Sequence, residues 1–228
     1  AGEQTVLLRD QLQGEMPEHY GTFVMTIPRA PYRCPPGPYE RACGVADLLQ
    51  RRGDGHRVIV LDENDGITAE KATFERAFYG LYKDIIEYRP GVTVGSVDSV
   101  GRTVVTNQGD FAGHVVNVIP RQRAPQRLSD SGLTGVGRWA PVDPASYEST
   151  LMENVHVIGD SQFTTQPKSG HMANSQAKVC ADAIIRKAMG VAETIHSTER
   201  LSNLTTNSAC FSPITATEAS WLTAVFRY

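Results

Sequence analysis

The stretch that decides the fold reads PYRCPPGPYE and occupies residues 31–40. An apolar run, TFVMTI at residues 22–27, comes before it, and a helical pattern follows it. In α/β proteins, ligands bind where a strand passes through a turn into a helix. A turn that binds phosphate is rich in glycine, whereas proline fixes φ and removes a donor N–H. The four prolines at residues 31–38 therefore favour a turn that holds the Cys34 sulfur in one place over a turn that binds an anion.

The elements around this turn predict a parallel α/β domain. A helix is predicted for residues 39–52, and the apolar run RVIVLD at residues 57–62 is predicted as the next strand. Strand, helix and strand in this order form a βαβ unit with parallel strands and a right-handed crossover. Further segments are predicted as a helix at 67–88, short strands between 92 and 106, and a buried strand at 114–120. The α/β domain, with an antiparallel addition, is expected at residues 21–121.

The flanking segments are less regular. Residues 3–13 are predicted as a helix, residues 123–149 as a loop, and residues 155–160 as a buried strand that ends in Gly-Asp. A long helix follows and ends near Met189. The remaining residues are predicted as a polar loop and an apolar tail.

Composition excludes several classes of protein. The net charge is −3, with 40% apolar and 21% charged residues, which is ordinary for a globular domain and unlike a nucleic-acid-binding protein. No apolar run approaches the roughly 20 residues that span a bilayer. The four cysteines are too few for a disulfide scaffold, and they show no Cys-x-x-Cys spacing. Because the chain does not begin with Met, we expect it to be processed or to be part of a longer protein.

Three motifs carry a resemblance to a known family. They are RCPPGPYERA at residues 33–42, VIGD at 157–160 and PKSGHMANSQ at 167–176. Together they resemble the flavoprotein subunit of flavocytochrome c sulfide dehydrogenase, and the resemblance extends over the whole chain. It implies a two-dinucleotide-binding-domain fold like that of glutathione reductase, FAD as the cofactor, a c-type cytochrome subunit as the partner, and the periplasm as the compartment. The implied enzyme is an FAD-dependent sulfide dehydrogenase.

One departure from the family pattern concerns the FAD-binding segment. No GxGxxG motif occurs in the 228 residues, so the resemblance implies a fragment that lacks the N-terminal segment of the FAD domain. The implied organisation has four parts: the end of the first FAD segment at 1–20, an NAD-domain-like second domain carrying Cys34 at 21–122, the returning FAD segment at 123–190, and the start of a C-terminal interface domain carrying Cys210 at 191–228.

The resemblance also assigns roles to the cysteines. Cys34 and Cys210 match the pair that forms the family's redox-active disulfide beside the flavin; because they are 176 positions apart, this pairing rests on the resemblance alone. Hydrosulfide can attack such a disulfide to give a persulfide and a thiolate, and the electrons would then pass to FAD and to haem. The alternative is that each cysteine is a buried small apolar residue. Cys43 and Cys180 lie on apolar helix faces and are predicted to pack in the core.

Five residues are predicted to bind the cofactor. In the family fold, Asp160 would hydrogen-bond a ribitol hydroxyl of FAD, and Lys168, Ser169 and Gly170 would precede a helix whose N-terminus faces the flavin and stabilises its anionic form. Pro35 is assigned to the same site. The alternatives are that Asp160 caps a turn and that Ser169 is an ordinary helix N-cap.

Two further polar residues have open roles. Glu40 could exchange protons with hydrosulfide or a leaving thiol, or it could be a first-turn acid stabilised by the helix N-terminus. His171 occupies a position where the family would have an aromatic residue, which puts a tyrosine-mediated route to haem in question.

The acids at the end of the second strand are not expected to form an NAD-binding site. In an NAD-binding domain, Asp62 or Glu63 would hold the adenosine ribose. Because prolines replace the phosphate-binding turn, neither is expected to bind a cofactor, and NADH is not expected to reduce the protein. Two other functions are compatible with the residues, namely a sulfide:quinone oxidoreductase and a non-catalytic remnant without flavin.

Overall fold

The computed structural model describes residues 2–135 and 137–228, so Ala1, where the first predicted segment starts, and Val136 lie outside the described residues. The chain divides into two compact units. Unit 1 comprises Ala1–Ala30, Pro36–Arg121 and Phe211–Ser220, and unit 2 comprises Pro31–Pro35, Gln122–Cys210 and Trp221–Tyr228. Cys34 thus belongs to unit 2, whereas the sequence-based boundaries assigned it to the domain at 21–122.

Unit 1 is built around a parallel sheet. Its helices are α1 (Glu3–Gly14), α2 (Gly37–Gln50) and α3 (Lys71–Arg76), and α3 continues as a π-helical turn over Ala77–Leu81. Its strands are β1 (Thr22–Ile27), β2 (Arg57–Asp62), β3 (Ile86–Arg89), β4 (Val94–Asp98), β5 (Thr103–Thr106), β6 (Gly109–Ala112) and β7 (Val115–Val118). The parallel sheet has the order β3-β2-β1-β7, and β4, β5 and β6 form an antiparallel sheet.

The βαβ prediction is confirmed. β1 and β2 are parallel, with Thr22 opposite Arg57 and Ile27 opposite Asp62. Five of the six residues in each strand are buried, as expected for central strands of a parallel sheet, which are covered on both faces. The prolines of the turn do not disturb α2, because a proline in the first helical turn has no N–H bond to lose.

The helix predicted for residues 67–88 is wrong at its C-terminal end. The helical structure ends at Leu81, and Ile86–Arg89 form β3 beside β2. Phe74, Phe78, Tyr82 and Ile86 are all buried, and their spacing of four suits a continuous helix. Pairing of residues 86–89 with β2 overrides that local pattern, a choice that periodicity cannot reveal.

Unit 2 contains the remaining elements. They are α4 (Gln126–Asp130), β8 (Ala140–Pro141), β9 (Gln162–Phe163), α5 (Gly170–Ala188), α6 (Thr198–Asn203) and two 3-10 turns at Gly159–Ser161 and Ala192–Thr194. Two long strands pair with each other, β10 (Thr205–Pro213) and β11 (Ala219–Arg227). The end of β10, the turn and the start of β11, residues 211–220, belong to unit 1. The core of unit 2 includes Tyr147, Val157, Val179 and Cys180.

Two predictions for this half of the chain need correction. Residues 155–160 do not form a strand; only His156 makes an isolated bridge, and a 3-10 turn begins at Gly159. Gly159 has a φ of +70°, which interrupts an extended backbone and is a conformation that glycine adopts without strain. The apolar tail is a regular strand, β11, whose residues alternate between more and less exposed. No helix in the described ranges 2–135 and 137–228 has the length and apolar character needed to cross a bilayer.

Candidate functional site

The first residues of α5 and the residue pair before them connect two distant parts of unit 2. We call residues 168–171 the α5 entry. The backbone N–H of Cys34 donates to the Lys168 carbonyl over 2.8 Å, and Arg33 and Lys168 form an isolated parallel bridge. Cys34 has a φ of +53°, a left-handed conformation that costs a non-glycine residue of the order of 1 kcal/mol. The turn that carries Cys34 is thus held by a main-chain bond to the α5 entry.

The strand that carries Cys210 is hydrogen-bonded to two residues of the α5 entry, Ser169 and His171. Ser208 Oγ lies 3.0 Å from Ser169 Oγ, and the N–H of Ala209 donates to His171 Nδ1 over 2.9 Å. Cys210 itself follows in β10 and is partly exposed, whereas Cys34 is exposed. The α5 entry therefore brings together two cysteine-bearing segments that are 176 positions apart in the sequence. The pairing of Cys34 with Cys210 stays a prediction.

A buried polar network supports the α5 entry from the interior. Gln176, on the second turn of α5, accepts the N–H of Gly159 over 2.7 Å and donates to Gln166 over 2.8 Å. Gln166 in turn accepts from the hydroxyl of Tyr147 over 2.7 Å and donates to Tyr228 over 3.1 Å. Gln166, Gln176 and Tyr147 are buried, so these bonds are costly to break. The network fixes the 3-10 turn and the start of α5 against each other.

Charged groups concentrate beside the Cys34 turn. Lys168 is 2% exposed, and its ammonium donates to the carbonyl of Asp160 over 3.0 Å and to the carbonyl of Gln162. Burial lowers the pKa of Lys168 to about 8, with Asp160 opposing the shift and Arg33 adding to it. The guanidinium of Arg33 pairs with the Asp160 carboxylate over 3.4 Å. Two cations, Arg33 and Lys168, and the Asp160 carboxylate thus lie beside the turn that carries Cys34.

Glu40 takes part in a hydrogen-bonded group within unit 1. The buried hydroxyl of Ser212 lies 3.0 Å from Glu40 Oε1 and 2.5 Å from Glu70 Oε1, and Ser220 donates to the second oxygen of Glu70. A serine hydroxyl has one proton and cannot donate to both carboxyl groups at once. Its proton can therefore lie towards only one of the two carboxyl groups at a time.

Burial and a neighbouring charge act on the Glu40 carboxyl group. Burial raises the pKa of Glu40, the Ser212 hydrogen bond partly offsets the shift, and the Glu70 charge adds to it. Glu40 is thus a partly buried carboxyl group that accepts a hydrogen bond from Ser212, and its role in proton exchange stays a prediction.

Asp62 is used inside unit 1. It is fully buried, and its Oδ2 accepts hydrogen bonds from Tyr39 over 2.9 Å and from Tyr88 over 2.8 Å. Asn64 donates two bonds to Oδ1 over 2.9 and 2.7 Å. Burial raises the pKa of Asp62 although these four bonds lower it. With both oxygens engaged, this carboxylate has no position left for a ribose hydroxyl.

Cys43 and Cys180 pack in the core, as predicted. Cys43 is fully buried on α2 and Cys180 is 7% exposed on α5. Burial raises the pKa of the Cys43 thiol to about 12, and it also raises the pKa of Cys180. Since the thiolate is the reactive form, both cysteines are inert in the folded protein.

The predicted cofactor residues other than Gly170 differ in their hydrogen bonds and in their exposure to solvent. Ser169 is the N-cap of α5 and accepts the N–H of Met172 over 3.2 Å, so the N-cap alternative is borne out for its hydroxyl. The Lys168 ammonium is bonded inside unit 2 and does not face solvent. Pro35 is partly exposed, and its carbonyl accepts from Tyr32 over 3.3 Å. Asp160 keeps a side chain that is 36% exposed.

Several contributing residues were missed by sequence reasoning. The ring of Trp139 lies against the cationic groups of Arg33 and Lys168. The Ser212 hydroxyl lies within hydrogen-bond distance of the carboxyl groups of both Glu40 and Glu70. Each is more than 25 positions from its partner and belongs to no recognisable motif, so no local signal marks it.

The residues present fit a flavin at the start of α5. Gly170 is exposed, and a Cβ built on it would meet no atom within 4 Å. α5 has 19 residues, and a long helix presents partial positive charge and unpaired N–H groups at its N-terminus. The partly exposed carboxylate of Asp160 and the buried side-chain amide of Gln162, which has no hydrogen-bond partner among the described residues, add polar groups nearby in the sequence. In the described parts of the chain, no group of three or more His, Cys, Asp or Glu residues is arranged to bind a metal ion.

Solved structures share this fold at low sequence identity. A chain in the cryo-EM structure of the Tetrahymena thermophila mitochondrial ATP synthase matches with a TM-score of 0.68 and 13% identity, covering 95% of this chain and 52% of that one. A NAD-dependent persulfide reductase from A. fulgidus matches with a TM-score of 0.52 and 17% identity, covering 80% and 33%. The flavoprotein disulfide reductase RclA from Escherichia coli, a C43S mutant in a Cu(II) complex, matches with a TM-score of 0.52 and 13% identity, covering 86% and 43%.

These matches establish the architecture. The chain has the α/β fold of the glutathione-reductase-like flavoprotein disulfide reductases, as predicted, and it spans about half or less of the length of the chains it matches. A family model gives a more specific result. Residues 5–120 match the central part of the sulfide dehydrogenase (flavocytochrome c) flavoprotein chain, which includes the proline turn, Cys34 and Glu40. The chain therefore belongs to the family of flavocytochrome c sulfide dehydrogenase flavoprotein chains.

Proposed function

We propose that this chain is part of a periplasmic flavoprotein oxidoreductase that oxidises sulfide, or a related sulfur compound, at a Cys34–Cys210 disulfide. The observation that carries the proposal is the α5 entry, whose residues bond both cysteine segments within one unit. FAD, when bound, would supply the acceptor for the electron pair, and a c-type cytochrome subunit would be the partner that takes the electrons onward. The family membership and the reductases of similar fold support this class of reaction.

The sulfur chemistry balances without a further reactant. Hydrosulfide attacks the sulfur of Cys34, which is the more exposed of the two cysteines, and forms a new S–S bond. The Cys34–Cys210 bond breaks, and Cys210 leaves as a thiolate. The hydrogen of hydrosulfide stays on the terminal sulfur of the Cys34 persulfide. The two electrons lost by the sulfide sulfur reside on the Cys210 thiolate.

The residues around this chemistry have distinct tasks. Gly170 and the first N–H groups of α5 would bind the flavin ring and favour negative charge there. Asp160 would hold a ribitol hydroxyl, with Arg33 fixing the orientation of its carboxylate. The backbone bond from Cys34 to Lys168 keeps the attacked sulfur in place.

The responses of the flavin to sulfide and to NADH distinguish the proposed function from the alternative functions. In the full-length flavoprotein, we expect anaerobic sulfide to bleach the flavin band completely and NADH to leave it unchanged, because Asp62 is bonded inside unit 1 and the phosphate turn is replaced by prolines. Stopped-flow absorbance measures both reactions. Cytochrome c should then restore the band. Reduction by NADH, or reoxidation by a quinone but not by cytochrome c, would contradict the proposal, and a protein without a flavin band would favour the non-catalytic remnant.

Glu40 is proposed as the group that exchanges protons during sulfide oxidation. We expect Glu40→Gln to lower turnover about 100-fold, the range found when a general acid or base is removed, and to abolish the pH-dependent limb that the carboxyl group causes. Because burial and the Glu70 charge raise the pKa of Glu40, that limb should lie above its ordinary value. The measurement is the pH profile of sulfide turnover.

Glu70→Gln is the matched variant for this prediction. It removes the charge that helps to raise the pKa of Glu40 and leaves the Glu40 carboxyl group in place. The limb should therefore move to lower pH and persist. If Glu40→Gln left both turnover and the pH profile unchanged, Glu40 would be only a first-turn acid of α2.

A further inference from the structure

We propose that Trp139 is a positioning residue for Cys34, because its ring holds the two cations whose backbones form the bridge beside that cysteine. Trp139 is 2% exposed and immediately precedes β8. The Lys168 ammonium lies 3.9 Å from the centre of its ring, and the Arg33 guanidinium carbon lies 5.4 Å from it. Both distances are within the roughly 6 Å over which an aromatic face attracts a cation.

The ring compensates for an unfavourable burial. Lys168 has left water almost entirely, and within residues 2–135 and 137–228 its three-proton ammonium donates to two carbonyl groups, those of Asp160 and Gln162. Burial lowers the pKa of Lys168, because it disfavours the charged form of the side chain, and the Arg33 charge adds to the shift. An indole face is the strongest of the aromatic partners for such a charge. Trp139 thus stabilises the side chain of the residue whose backbone carbonyl accepts from Cys34.

The same ring limits Arg33 from the other side of the bridge. The Arg33 side chain also reaches the Arg123 carbonyl over 3.1 Å, and its backbone N–H donates to Gln122 Oε1 over 2.8 Å. With Trp139, these contacts fix both strands of the two-residue bridge. Cys34 follows directly and needs such support, because its left-handed φ of +53° is unfavourable in an isolated chain.

The consequence for the reaction rests on the proposed function. A disulfide requires two Cα atoms within about 7 Å and a narrow range of torsion angles. If the bridge loosens, Cys34 samples other conformations, and the effective concentration of its thiol at Cys210 falls. Trp139 would therefore influence the redox equilibrium of the pair through the bridge between Arg33 and Lys168.

Hydrogen exchange tests the positioning role independently of any activity. In the full-length protein, the Cys34 amide donates to Lys168, so its protection reports the bridge directly. We expect Trp139→Leu, which keeps apolar volume but removes the ring, to reduce that protection about tenfold, the order of a buried cation–π contact. Trp139→Phe should retain it within about threefold, because phenylalanine is still an aromatic partner. Equal protection in all three proteins, or equal loss in both variants, would overturn the proposal.

A double-mutant cycle identifies the contact. Lys168→Met removes the ammonium and keeps the carbonyl that accepts from Cys34. It should lower the protection by itself, and the double variant should lose less than the sum of the two single losses, because both variants remove the Lys168–Trp139 contact while only Trp139→Leu removes the contact with Arg33. Fully additive losses would contradict the inference.

The functional consequence is measured by equilibrating the cysteine pair with reduced and oxidised glutathione. Trp139→Leu should lower the equilibrium constant for closing the Cys34–Cys210 disulfide about tenfold and Trp139→Phe should not. Failure of the unsubstituted protein to form this disulfide would refute the proposed function, while hydrogen exchange would still decide the role of Trp139. A normal equilibrium in Trp139→Leu would refute the positioning role alone.

Discussion

Replacing Cys34 by serine is expected to lower sulfide turnover by a factor on the order of 10³ or more, the scale seen when a covalent catalytic group is removed. Serine cannot form the disulfide that sulfide attacks. Cys210→Ser should have an effect of the same size, because the leaving thiolate is lost. The double variant should be no worse than either single variant, since both remove one bond. Steady-state turnover with cytochrome c as acceptor measures all three.

Cys180→Ala is the control for this series. Cys180 lies in the core of unit 2, and burial raises the pKa of its thiol, so turnover should remain close to that of the unsubstituted protein. Full turnover in Cys34→Ser or Cys210→Ser would contradict the disulfide mechanism.

Replacing Asp62 by alanine is expected to destabilise unit 1 by about 3 kcal/mol, because buried partners that lose a carboxylate are left without acceptors. The hydroxyls of Tyr39 and Tyr88 and the amide of Asn64 all donate to Asp62. Native-state hydrogen exchange of the β1 and β2 amides reports the opening free energy of this unit.

Asp65→Ala is the matched control for Asp62. Asp65 is an exposed acid on the loop that follows β2, and its removal should change the opening free energy by less than about 0.5 kcal/mol. Equal effects of the two substitutions would show that the Asp62 network is not a stabilising part of unit 1. They would also reopen the possibility that the Asp62 carboxylate serves a ligand.

The sequence predicted the centre of unit 1 because local and long-range signals agree there. β1 and β2 are six-residue apolar strands with polar or proline residues at their ends, and α2 carries an apolar face between them. At β3 the signals conflict, since an aromatic pattern of helical spacing runs into residues that pair with β2. Periodicity describes one segment at a time and cannot weigh a sheet edge against one more helical turn.

The candidate site was predictable only in part. The proline turn and Cys34 stand out in the sequence because prolines so close together restrict the backbone, and Cys210 could be matched only through a family resemblance. Trp139 gave no signal, because its partners are 106 positions before it and 29 positions after it. The role of the Ser212 hydroxyl was equally hidden, since its contacts with Glu40 and Glu70 arise only when folding brings three distant side chains together.

The most direct test of the central claim is a peptide map of the oxidised full-length protein under non-reducing conditions. We expect one linked pair of peptides, containing Cys34 and Cys210, while Cys43 and Cys180 remain thiols because they are buried. One equivalent of sulfide should open the link and leave one additional sulfur atom on the Cys34 peptide. A map in which Cys34 and Cys210 are not linked to each other, or in which sulfide leaves the link intact, would contradict the account.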